Sequence, residues 1–218
     1  MKPIIVINFK TYKQGKDVVK LARAIENNDK DMIICVPATD IEEVSKKTKL
    51  KVYAQHVDFY KAGRATGFIL PENVKADGAK GTLLNHSEHP IEFNVLEKTI
   101  KRCKQVGLKV ILCISEANKT KKFLKLNPDM IALEVPELIA TGKSISQNKP
   151  KSVMEFSYIV GNYNIKEHKH IKPLCGAGIS DSKDVREAMN LGCDGVLIAS
   201  AITKSKNPGK SVREIEKG

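Results

Sequence analysis

Eight short apolar runs, each followed by a polar turn or an amphipathic segment, divide this chain from end to end and constrain its fold more than any other feature. The runs are "IIVIN" (4–8), "MIICV" (32–36), "KVYAQH" (51–56), "GTLLN" (81–85), "KVILCI" (109–114), "MIALE" (130–134), "IKPLCG" (171–176) and "GVLIAS" (195–200). Most are apolar at consecutive positions and do not alternate, as befits strands buried on both faces of a parallel sheet. Helices are expected between them. Residues 15–27 place Val18, Leu21, Ala22 and Ile25 on one helical face. Residues 39–47 read as a helix opened by a Thr39 cap and a capping-box Glu42. Further helices are expected from Pro71, over 91–106 with Gly107 ending it, near 117–125, from Pro150, over 182–191 and from Pro208.

Eight strand–helix units without a linker-like gap predict one closed (β/α)₈ barrel, a single domain over residues 1–218, at the short end of that fold's range. A doubly wound sheet would carry a glycine-rich turn after its first strand, and "NFKTYKQG" is not one. No apolar run approaches the roughly 20 residues of a membrane span. The start, "MKPIIVINFK", lacks a secretory pattern, so a cytoplasmic protein is expected. Five cysteines, with no CxxC pair, predict reduced core thiols and no metal or disulfide framework. The formal charge of +12 raises nucleic-acid binding, but the lysines are dispersed and aromatics are only 5% of the chain. The expectation is solvated faces that attract anionic substrates, with no nucleic-acid or membrane partner.

Active sites of such barrels form at the carboxyl ends of the strands. Strand one ends in Asn8 and Lys10, two apart and therefore on one face if the segment stays extended. Strand four delivers His86 to what reads as a helix start, where a positive dipole favours a neutral, hydrogen-bonding imidazole. Strand six ends at Glu134, whose apolar flank predicts desolvation and a raised carboxylate pKa, suited to a base. Strands seven and eight end in Gly176, Ala177 and Gly178 and in Ala199 and Ser200, small residues that leave backbone N–H groups open to a phosphate.

Taken together, "NFKTY", "YAQHVD", "GRATG", "GTLLNHSE", "EVPELIATG", "LCGAGIS" and "GVLIAS" resemble, in order and spacing over nearly the whole chain, the triosephosphate isomerase family in its short archaeal form. The resemblance implies a TIM barrel that interconverts dihydroxyacetone phosphate and D-glyceraldehyde 3-phosphate in glycolysis and gluconeogenesis. It implies Glu134 as the base, His86 as the group that polarises the carbonyl, and Lys10 as positive charge near the oxyanion and phosphate. The stretch Asn8, Phe9 and Lys10, with Ile139, Ala140, Gly178, Ala199 and Ser200, would hold the substrate, and residues 135–141 would form a closing lid. No metal or organic cofactor is implied, because the substrate's own carbonyl acidifies the proton. Thr66, in "GRATG", would reach a neighbouring subunit's site, implying a homodimer or homotetramer. Val135 and Ala140 stand where the family's lid motif has Pro and Gly, and His89 and Pro90 replace other residues, Pro90 within an expected first helical turn. Two alternatives have less support. A Schiff-base aldolase needs a lysine inside a barrel strand, and the apolar centres of strands four to six carry none. A nucleic-acid binder needs the clustering that is missing.

Overall fold

The computed structural model describes residues 2–135, 138 and 144–218. Its strands are β1 (Ile4–Asn8), β2 (Ile33–Val36), β3 (Lys51–Ala54), β4 (Gly81–Leu84), β5 (Lys109–Ile114), β6 (Met130–Leu133), β7 (Lys172–Gly176) and β8 (Gly195–Ile198). All are parallel and pair in chain order, and β8 closes on β1 from Ile4↔Gly195 to Ile7↔Ile198. This is the closed (β/α)₈ barrel expected from the sequence.

Alternation along the strands divides the core into two layers. Val6, Ile33, Cys35, Tyr53, Leu83, Ile111, Cys113, Met130, Ala132, Leu174 and Leu197 fill the barrel. Their neighbours, such as Ile5, Ile34, Val52, Leu84, Val110 and Ile131, face outward under the helices. That arrangement explains why the strands read as continuously apolar. All five cysteines are buried and unpaired.

The helices are α1 (Lys16–Glu26), α2 (Ile41–Lys47), α3 (Pro71–Ala76), α4 (Phe93–Val106), α5 (Thr120–Leu124), α6 (Ile145–Asn148), α7 (Pro150–Glu167), α8 (Ser182–Asn190), α9 (Ser200–Thr203) and α10 (Pro208–Ile215). Helix α1 buries Val18, Leu21, Ala22 and Ile25 as expected, and α4 ends at Gly107 in the left-handed conformation, φ 79°. No helix among the described residues is long and apolar enough to cross a membrane.

Three local expectations fail. Thr39 does not cap a helix: it sits in a 3₁₀ turn over Ala38–Asp40, α2 starts at Ile41 without a side-chain cap, and Glu42 pairs with Lys46. Ala199 and Ser200 are not strand, because β8 stops at Ile198 and Ser200 opens α9. Pro90 is not in a helical first turn, since α4 begins only at Phe93.

Candidate active site

At the carboxyl end of the barrel lies a cavity of about 180 Å³ lined by Asn8, Lys10, His86, Glu134, Gly178, Ala199 and Ser200, among others. Seven of the residues singled out from the sequence therefore meet in one place, although they come from five different strand ends. Phe9 does not join them: it is 1% exposed and points into the outer core layer. Thr66 lies far along the β3–α3 connection and is exposed. Ile139 and Ala140, with most of the expected lid, fall outside the described residues, while Val135 at its start is buried in the core.

Asn8 and Lys10 reach the cavity by a different route from a shared extended face. The chain turns at Lys10, whose φ of 48° is left-handed. Two hydrogen bonds hold that turn. The Lys10 backbone N–H donates to Asn8 Oδ1 at 3.0 Å, and Gln55 Nε2 donates to the Lys10 carbonyl at 2.9 Å. The lysine side chain is almost wholly buried, and its Nζ donates to Glu88 Oε1 at 2.6 Å.

His86 sits in a turn closed by His89 N–H to the His86 carbonyl at 2.8 Å, seven residues before α4. A helix dipole from α4 therefore does not set its charge state. A local hydrogen bond orients the ring instead: the Glu88 backbone N–H donates to His86 Nδ1 at 3.1 Å, which makes Nδ1 the acceptor and leaves Nε2 to carry the ring proton. Nε2 faces Glu134 Oε2 at 3.5 Å. Both atoms are buried, and among the described residues neither makes a well-aligned hydrogen bond, a state native interiors rarely tolerate unless a ligand completes it.

Glu134 directly follows β6, anchored by its N–H to the Ile114 carbonyl at 2.9 Å, and is 6% exposed. Burial is the largest influence on its carboxyl and pushes the pKa up, as the sequence implied. The His86 ring, the Cys113 thiol and the Lys10 ammonium together outweigh it, and the carboxyl lies below its ordinary value. The expected rise is thus corrected to a fall, because the apolar strand said nothing about partners from other strands. Glu134 in turn joins burial in pushing the Cys113 thiol far up.

Sequence reasoning missed three residues that shape this site. Gln55 and Glu88 hold Lys10, and both follow strand ends where polar residues warrant attention. Asn85, itself left-handed at φ 59°, donates to the Cys113 carbonyl at 2.9 Å and accepts from Ile91 N–H at 2.9 Å, tying the His86 turn to β5 and to the approach of α4. Gly176, expected among the small residues open to a phosphate, does not line the cavity and lies instead against Glu134: a Cβ there would come within 2.5 Å of Glu134 Cγ.

Fold and site define an acid–base enzyme of the (β/α)₈-barrel class, with carboxylate, imidazole and ammonium gathered at the carboxyl end of the strands. A family model described as triosephosphate isomerase matches residues 3–215. The chain belongs to the triosephosphate isomerase family. It is 41% identical to the triosephosphate isomerase of Saccharolobus solfataricus, over 97% of this chain and 94% of that one. It is 40% identical to that of Methanocaldococcus jannaschii, over 98% and 99%. The crystal structure of triosephosphate isomerase from Bartonella henselae superimposes over 100% of both chains with a TM-score of 0.77, at 18% identity, a likeness of fold.

Proposed function

We propose that Glu134, His86 and Lys10 carry out the reaction of this family, the interconversion of dihydroxyacetone phosphate and D-glyceraldehyde 3-phosphate. The observation that carries the assignment of roles is the pair of buried atoms, His86 Nε2 and Glu134 Oε2, that face each other across one cavity without a well-aligned hydrogen bond among the described residues. A substrate with a carbonyl beside a C–H carbon satisfies both. The Glu134 carboxylate takes the proton from that carbon, and the electron pair moves onto the carbonyl oxygen as an enediolate forms. The Nε2–H of His86 donates to this oxygen as its charge grows, and Lys10 supplies positive charge nearby. Glu134 then returns the proton to the adjacent carbon, while His86 passes a proton between the two oxygens. Electrons balance within the substrate itself.

Gly178, Ala199 and Ser200 would cradle the phosphate, with Ile139 and Ala140 closing over it from the lid at 135–141. Closure of that lid would exclude water and keep the enediolate from expelling phosphate. Thr66 and the exposed Phe68 beside it, 44% accessible, support a homo-oligomer, at least a dimer, in which this loop meets a second copy. The same reading makes the chain a single domain working in the cytoplasm in glycolysis and gluconeogenesis.

A coupled assay on both triose phosphates tests it. His86→Gln is expected to lower kcat more than it raises KM, because the lost hydrogen bond strengthens as the oxyanion forms. An unchanged kcat would remove His86 from the mechanism, and a folded wild-type protein inert toward both substrates would overturn the reading.

A further inference from the structure

The opposite, amino end of the barrel holds a second cavity, of about 880 Å³, with its own charge pattern. Lys51, Lys109 and Lys172 are the first residues of β3, β5 and β7. Each stands two positions before a side chain that fills the barrel, Tyr53, Ile111 and Leu174. Strand alternation therefore sets these lysines on the inner face at the barrel mouth, and Lys2 leads into β1 in the same phase. Acids precede the even strands. Lys2 pairs with Asp29 at 2.9 Å, Lys109 with Asp129 at 2.8 Å and Lys172 with Asp194 at 3.4 Å.

The alternation breaks at β4, which is led by Lys80; Asp77, four positions before the strand, makes no ion pair with a lysine of the mouth among the described residues. Lys51, on the strand beside it, donates only to the Asp31 carbonyl at 3.4 Å. Lys104, in the last turn of α4, donates only to the Leu126 carbonyl at 3.1 Å. Neither makes an ion pair among the described residues. Tyr53 occupies the same gap. Its ring covers Gly81, where a Cβ would approach it to 2.4 Å, and the residue is 4% exposed. Its hydroxyl borders the cavity and is open to solvent there. Burial holds the Lys104 ammonium below its ordinary pKa, with Asp129 opposing and Lys169 adding to the fall. Five lysines and three aspartates line the cavity, and with Asp194 paired to Lys172 the excess is one positive charge.

We propose that this gap is an anion site at the amino end of the barrel, where a small phosphate-bearing polyanion binds Lys51, Lys104 and the Tyr53 hydroxyl. Phosphoryl oxygens suit it. They accept from an ammonium and a phenol at once, through charge-assisted bonds. The cavity volume falls in the range of small-molecule sites. A bound polyanion would link β3 to α4 across the mouth and stabilise the folded chain by mass action, without entering the catalytic cavity.

Inorganic tripolyphosphate is the probe, titrated calorimetrically into the whole protein with equilibrated triose phosphates present at saturation to occupy the active site. One tripolyphosphate per chain is expected to bind under those conditions. In Lys51→Gln/Lys104→Gln its affinity should fall roughly tenfold or more, with kcat/KM unchanged. Binding that triose phosphate abolishes entirely, or equal affinity in the variant, would overturn the proposal. Should the double variant fail to fold, Tyr53→Phe removes one hydroxyl and keeps the ring over Gly81. Weaker binding there supports the site, and wild-type affinity refutes it.

Discussion

Lys10 holds a backbone conformation, φ 48°, that costs a residue with a Cβ of order 1–3 kcal/mol. The surrounding structure sustains it through Asn8 Oδ1 on its N–H and Gln55 on its carbonyl. That expense places the ammonium in the cavity, something an extended strand end would not have achieved by spacing alone. Glu134 shows the same dependence on neighbours. Its carboxyl lies below the ordinary value of 4.5, because His86, Cys113 and Lys10 outweigh burial. The sign has two consequences. The carboxyl is already ionised in neutral solution, and the ionised carboxylate stabilises the fold above its unfolded pKa, a contribution lost as pH falls through the lowered value. A carbon-13 NMR titration of the Glu134 carboxyl in the unliganded protein should find its midpoint below 4.5. A midpoint above that value would mean that burial dominates after all.

At the scale of elements, the register between β6 and β7 sets Glu134 against Gly176, just beyond the Leu133↔Cys175 pair. Gly176→Ala would force a Cβ to within 2.5 Å of Glu134 Cγ, so the carboxylate must move. The expected result is a clear loss of kcat with a stability cost of about 1–3 kcal/mol. Calorimetry and the coupled assay check both, and a variant with wild-type kcat would show that Glu134 tolerates displacement. The eight strands were legible because two-sided burial writes itself into sequence as short apolar runs. Glu134, His86 and Lys10 were legible because strand ends at a barrel mouth are few and mostly apolar. What escaped was cooperation between distant segments. The turn that removes His86 from α4, the left-handed Lys10 and Asn85, and the Gly176 contact all depend on pairs far apart in the chain. Thr39 failed for a local reason: it has the right chemistry for a cap, but a 3₁₀ turn over Ala38–Asp40 leaves Asp40 in the cap position and α2 starting at Ile41.

The molecule as a whole sets a cationic field around two mouths of one barrel, with a formal charge of +12 that favours anionic substrates at long range. The proposed oligomer belongs to this scale. Sedimentation velocity at assay concentration should return a mass at least twice the 24.1 kDa of the chain. A 24.1 kDa particle with full turnover would contradict a role for Thr66 across subunits. The central claim, that Glu134 moves the proton, is tested most directly by Glu134→Gln, which removes the base and keeps the shape. With the fold intact by circular dichroism, triose phosphate turnover should drop roughly a hundredfold to ten-thousandfold, the usual scale for a lost general base. Turnover within a few-fold of wild type would contradict the account.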